Sequence, residues 1–237
     1  MYGYGSSYTL AYILVLAAIA FSGWASWKVK NVYKKYSNDR NIRGITGAQA
    51  ARMVLDANGL NDVPVGMVPG TLTDYYNPAD RSVHLGENEY SSPSPVAVGV
   101  ACHECGHAIQ YSENYWPAKL RMSIVPITSF GSKLSWPLIL AGIVFCYFSS
   151  AFGMLFINIG IALFALCVFF QLITLPTEFD ASRRALKSIE ENGIMSGSDY
   201  DAAKEVLTAA ALTYVAALAV SLAQLLRLLV MFGNRRN

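Results

Sequence analysis

Three side chains in this sequence have types and spacing that can do chemistry together: His103, Glu104 and His107, in the run His103-Glu104-Cys105-Gly106-His107. Histidines four positions apart on a helix leave the same face, because a turn takes 3.6 residues, and can reach one metal ion. Two imidazoles, one further protein ligand and one open position suit a catalytic zinc. Glu104 is one residue round from His103, so its carboxylate can stand beside the metal and take a proton from metal-bound water. The pattern therefore predicts Zn2+ held by His103 and His107, with Glu104 as general base of a hydrolysis. A chance match is disfavoured by the count: the chain has only three histidines, and two fall at the required spacing with the acid between them.

This chemistry needs a helix under the motif. Ser94 as N-cap and Pro95 in the first turn open one, and Val96 to Tyr111 continue it without a further proline. Gly106 falls on the histidine side, where a missing side chain would let another segment pack close to the metal. Cys102 and Cys105 form a CxxC pair, a spacing also used by redox dithiols and thiolate metal sites. With Cys102 at 0°, the histidines lie near 100° and 140° and Cys105 near 300°, at about 100° per residue. Cys105 thus faces away from the metal, and both cysteines are expected to be small buried hydrophobes. Cys146 and Cys167, in apolar runs, are read the same way, and no disulfide framework is implied.

The third ligand is less determined. His84 sits on an expected strand, where a hydrogen-bonded structural histidine is the commoner role. The run Pro176 to Arg184 reads as a helix start, with Thr177 as N-cap and Asp180 in the capping-box position. Asp180 then has a structural task. Glu178 is either a metal ligand or a first-turn acid favoured by the helix dipole, and residue chemistry alone leaves both open.

The elements that must position these residues belong to a membrane protein. The chain of 237 residues is 54% hydrophobic and 14% charged, with mean hydropathy +0.34, which fits membrane helices around one small domain. A net charge of +2, with no basic patch interleaved with aromatics, sets nucleic-acid binding aside. Tyr8 to Trp27 is an uncharged apolar run, and Lys28, Lys30, Lys34, Lys35, Arg40 and Arg43 all follow it. A cleaved signal peptide would carry its positive charges first. The run is therefore expected to be a span with its N-terminus outside and the following segment cytoplasmic. Thr46 and Gln49 form a capping box for a short amphipathic helix ending at Gly59, Val63 to Val68 reads as a strand, and Leu72 to Tyr76 with Ser82 to Leu85 as a hairpin. The apolar stretch from Leu134 to Leu175 is long enough for two helices with an outer turn near Ser149 and Ser150, returning the chain to the side of the motif. Ser198 to Asp201 offers a capping box for a last helix through Phe232, a fourth span, tilted or partly above the membrane, whose tail Arg235-Arg236 would lie outside, against the charge rule. The expected division is residues 1–30 as N-terminal membrane helix, 31–121 as a soluble part with strands and motif helix, 122–175 as a membrane hairpin, 176–200 as the third-ligand helix, and 201–237 as the last membrane helix.

With His103-Glu104-Cys105-Gly106-His107-Ala108-Ile109-Gln110 and Thr177-Glu178-Phe179-Asp180-Ala181-Ser182 both in view, the chain resembles the YugP-type membrane zinc metallopeptidases over nearly its whole length. That group is similar in turn to the HtpX and CAAX prenyl protease class of gluzincins. The resemblance implies an α-helical integral membrane protein with about four transmembrane helices and a small α+β zincin-like catalytic domain. It assigns the third zinc ligand to Glu178. Those relatives usually carry an aspartate four residues after the glutamate, and here the position is Ser182; that hydroxyl or a backbone carbonyl would then orient a zinc histidine. The expected function is a metalloendopeptidase in a bacterial cell membrane, multi-pass, with a cytoplasmic site acting on protein or peptide substrates at the lipid bilayer. Tyr75, Tyr76, His84 and Arg183 are the candidate oxyanion donors. The alternative is a non-catalytic membrane scaffold or regulator with a structural or vestigial zinc, against which the intact Glu104 argues, since a structural site needs no base.

Overall fold

The structure, a computed structural model, describes residues 2–233. The tail arginines 235 and 236, on which the reading of the last crossing turned, lie outside the described residues. Along the chain come α1 (Tyr2–Tyr36), α2 (Gly47–Ala57), β1 (Val65–Val68), β2 (Tyr75–Asn77), β3 (Ser82–Gly86), α3 (Glu87–Ser91), α4 (Pro95–Ser112), α5 (Trp116–Phe145), α6 (Ser150–Glu191) and α7 (Ser198–Gly233). Four of the helices, α1, α5, α6 and α7, are long and apolar enough to cross a membrane. The protein is thus a helical membrane protein with one small three-stranded sheet.

The chain divides into two compact units. The first holds the residues up to Trp24, Leu120–Leu175, and those from Tyr214 onward. Here α5 and α6 form an antiparallel hairpin across a short turn after Phe145. Their backbones touch: a Cβ on Gly142 would lie 2.7 Å from the carbonyl oxygen of Gly153, and one on Gly160 would lie 2.8 Å from that of Ser135. Small residues at the crossing are how helices pack when lipid, not water, surrounds them. Ile139, Ile157 and Ile161 then pack with Leu228 and Phe232 of α7. Leu16, Phe130, Leu140 and Phe152 each expose more than half their surface, apolar area that a bilayer would cover.

The second unit, Ala25–Lys119 with Pro176–Thr213, carries the motif. Thr46 and Gln49 bond reciprocally at the start of α2, whose buried face is Ala50, Ala51, Val54 and Leu55. Gly59, at φ +72°, ends the segment in a conformation that favours glycine. The sheet has β3 in the middle, parallel to β1 and antiparallel to β2. Alternation along β3 sends Val83 and Leu85 into the core and His84 to the other face. Against them α4 places Val98, Ala101, Cys102, Cys105, Ala108 and Ile109, one face at helical spacing. Ala185 and Ile189 of α6 and Ala203 and Leu207 of α7 complete this core.

Two local expectations are corrected, and one element is added. Pro176 does not start a helix, because α6 runs through it without interruption for 42 residues. Thr177 therefore caps nothing and Asp180 occupies no capping box. An interior proline costs about 3 kcal/mol or more, but the segment after it buries Thr177, Glu178, Ala181, Ala185 and Ile189, and that packing keeps the helix on course. The last helix begins on Ser198 itself, after Gly197 at φ +56°; of the two acids in its first turn, Asp199 and Asp201, Asp199 accepts the N–H of Ile42 at 2.8 Å. Finally, α3 was not foreseen: one short turn of helix whose buried Glu89 accepts the Tyr33 hydroxyl at 2.8 Å and the Leu72 N–H at 3.2 Å.

Candidate metal centre

The apolar side of α4 is buried in the core, so the opposite side presents His103 and His107 to α6. Glu178 meets them there. One ligand atom from each of the three lies within 4.8 Å of the others, with Glu178 Oε2 at 3.2 Å from His103 Nε2 and 3.8 Å from His107 Nε2. The imidazoles stand edge to face, 4.8 Å between centroids, and the Glu178 carboxylate is almost fully buried. Gly106 lets this happen: a Cβ there would sit 2.4 Å from the carbonyl oxygen of Ala181. Backbone therefore touches backbone between the two histidines, and any side chain would push α6, and Glu178 with it, away.

The surroundings of Gln110 settle which nitrogen of His107 carries the proton. The fully buried Gln110 donates through Nε2 to Thr177 O at 2.7 Å and to Asp180 Oδ2 at 3.0 Å. Both partners are acceptors, so the amide has one orientation, and Gln110 Oε1, 3.0 Å from His107 Nδ1, must accept a proton from it. His107 thus carries its proton on Nδ1 and turns the Nε2 lone pair toward Glu178. Asp180 is held in turn by Arg183 and by Arg184 Nε at 2.5 Å, and Arg184 also reaches Glu113 at 2.6 Å. For His103 the partner is Ser182 Oγ, 3.1 Å from Nδ1. A serine hydroxyl accepts as well as donates; in the tautomer with the proton on Nδ1, His103 also offers Nε2 as a lone pair. In those tautomers two nitrogen lone pairs and a carboxylate converge, a donor set that fits a cation of zinc's nitrogen and oxygen preference.

Glu104 lies beside His103 on α4 and is nearly buried. Its charge is felt by a residue that sequence reasoning missed, Asp74, just before β2. One Asp74 oxygen accepts the Gly86 N–H at 2.9 Å, while Oδ2 is buried with no hydrogen-bond partner. Burial, first, and then the charges of Glu89 and Glu104 push its carboxyl up to about 6, against the pull of the Gly86 bond. Nothing in the local sequence marks an aspartate in a loop for this role. His84 lies outside the cluster: it meets Ser82 Oγ at 2.7 Å and stacks on Tyr75. Tyr76 rests against Tyr111, and Arg183 is turned to Asp180. Cys102 and Cys105 are fully buried, and burial pushes both thiols up, which suits packing rather than redox chemistry.

A helical membrane protein that gathers two histidines and a glutamate at one candidate metal site has the marks of a membrane metalloprotein. The chain belongs to the family described as "Putative neutral zinc metallopeptidase", which matches residues 11–233. It is similar to the "Putative membrane protease YugP" of Bacillus subtilis (strain 168), 46% identical over 224 residues that cover 94% of this chain and 97% of that protein. No solved structure matches the chain.

Proposed function

We propose that the chain is a zinc-dependent endopeptidase of the gluzincin type that cleaves membrane or membrane-proximal proteins, with His103, His107 and Glu178 holding the metal. The observation that carries this reading is the convergence of the three ligand atoms, with Nδ1 of each imidazole engaged outward by Ser182 or Gln110 and Nε2 facing Glu178. Bound there, zinc supplies Lewis acidity, bringing water toward a neutral pKa and polarising a peptide carbonyl. Glu104 accepts the proton from the attacking water and delivers it to the leaving amine, so one carboxylate serves as base and then as acid. Ser182 and Gln110 hold the imidazoles in the tautomers that face the metal. The outer edge of β2 is unpaired within the sheet, and an extended substrate segment can bind by adding a strand to it. The positive charges from Lys28 to Arg43, which follow the apolar run of α1, support a cytoplasmic site.

The test is the metal content of purified protein together with proteolysis of an unstructured test protein, with and without a chelator. Glu104→Gln keeps the shape of the side chain but removes the base, so it should retain zinc and lose hydrolysis. A Glu104→Gln protein that cleaves at near wild-type rate removes the base assignment.

A further inference from the structure

A second concavity, of about 400 Å³, lies between α6 and α7 within the unit that carries the motif. Its floor is apolar, made by Leu186, Leu207 and Ala211, with Phe179 toward one end and Tyr200 toward the other. This volume is within the roughly 300–1,000 Å³ of small-ligand pockets. The rim is charged. Arg183 and Lys187 stand on the α6 side, with side chains 77% and 70% exposed, and Glu190 lies beyond them. On α7, positions 200, 204, 208 and 211 share a face at helical spacing, which sets the exposed Lys204 on the same wall between Tyr200 and Thr208. Arg183 also reaches Asp180, and Lys187 reaches Glu191 at 3.7 Å. Exposed pairs of that kind are weak, and both cations retain donors for an added anion.

The polarity is directional. Phe179 lies about one turn past the apolar run of α6, which ends near Leu175, and Leu207 and Ala211 lie at the start of the apolar run of α7, which begins after Glu205. Arg183 and Lys187 follow Phe179 at successive turns, about 6 and 12 Å along the helix. An apolar slot that opens to cations one to two turns further on has the layout of an acyl chain followed by an anionic headgroup, and basic pockets between membrane helices bind such headgroups. The slot does not lie on the reacting side of the imidazole, because Ser182, on its wall, contacts His103 through Nδ1, not through the Nε2 that faces Glu178. We propose that this groove binds an anionic phospholipid, with an acyl chain over Leu207 and Ala211 and the headgroup at Arg183, Lys187 and Lys204. The bound lipid would touch the residue that orients His103, and the site stands whether or not the protein is a protease.

The experiment uses the full chain in detergent with fluorescent phosphatidylglycerol and phosphatidylcholine of identical acyl chains. The expected result is saturable binding that favours phosphatidylglycerol by about tenfold or more. The double variant Lys187→Glu, Lys204→Glu should remove that preference and leave phosphatidylcholine unchanged, and Thr208→Trp, which fills the slot, should weaken both lipids. Retained melting temperature certifies each variant as folded, and the lysine pair alone decides the matter if the tryptophan variant does not fold. Equal binding of the two lipids by the wild type overturns the proposal. So does unaltered phosphatidylglycerol binding in the folded lysine variant, and so does competitive displacement of the lipid by an unstructured peptide, which would make the groove a peptide site.

Discussion

Gln110 offers the sharpest separation between holding the metal and holding the fold. Its amide spans three partners, His107 Nδ1, Thr177 O and Asp180 Oδ2, at 3.0, 2.7 and 3.0 Å, with no exposed surface. In Gln110→Leu all three bonds go. Two neutral buried bonds at about 1 kcal/mol each and one to a carboxylate at about 2 put the loss of stability near 4 kcal/mol, less whatever the leucine recovers by packing. The same change leaves His107 Nδ1 without its acceptor, and losing such a partner typically lowers metal affinity about 10–100-fold. Gln110→Glu divides these effects. A carboxylate accepts from His107 Nδ1 at least as well as an amide, but it cannot donate to Thr177 O and it faces the carboxylate of Asp180. Stability should therefore fall in both variants, while zinc affinity falls only in Gln110→Leu. The assay is zinc competition against a chromophoric chelator, read beside thermal unfolding in the same detergent. Wild-type zinc affinity in a folded Gln110→Leu protein would refute the relay and leave Gln110 a packing residue.

Glu178→Ala should empty the site, whereas Asp180→Ala, which leaves Gln110 its bonds to His107 and Thr177, should keep zinc and mainly lower the melting temperature; metal analysis of the two purified proteins checks this. Asp74 has a folded carboxyl raised to about 6, above its ordinary value, so its protonated form favours the folded state. That stability is fully present below about pH 4 and is lost as pH rises through 6. Asp74→Asn should flatten the stability profile over this window and raise the melting temperature above pH 6, and an unchanged profile would contradict the assignment. For orientation, a membrane-impermeant thiol label applied outside intact cells should reach a cysteine placed at Ser150 and fail to reach one at Ser91, in a background lacking other reactive cysteines. Labelling only at Ser91 would put the candidate site outside.

Much of this architecture is readable from local chemistry. Ser94 and Pro95 announce α4, Thr46 and Gln49 announce α2, and apolar stretches announce the four long helices, although α5 starts at Trp116, well before the stretch that opens at Leu134. The glycine at 106 is likewise legible as a place for close approach, although not which segment approaches. What escaped are features decided by tertiary contact. Pro176 and Thr177 read locally as a boundary, yet burial of the face that follows them outweighs the local signal. Gln110 and Asp180 look like an ordinary helix amide and an ordinary capping acid until α4 and α6 are brought together. Asp74 and Glu89 carry no sequence mark, since their burial depends on a loop folding back over β3 and α3.

The unbroken course of α6 bears on how the protein is made. His103 and His107 leave the ribosome early, on a helix that can form by itself, but Glu178 follows only after α5 and the whole apolar stretch of α6 have been synthesised. Because no loop separates that stretch from Glu178, the glutamate travels with the hairpin. On the ligand set proposed above, a nascent chain that has not yet completed the second hairpin helix presents two histidines and no carboxylate between them, a poor site for zinc. If the proposed function holds, metal capture, and with it the power to cut other proteins, is deferred until the last part of the hairpin has been delivered, and an incomplete chain in the cell would carry no working blade.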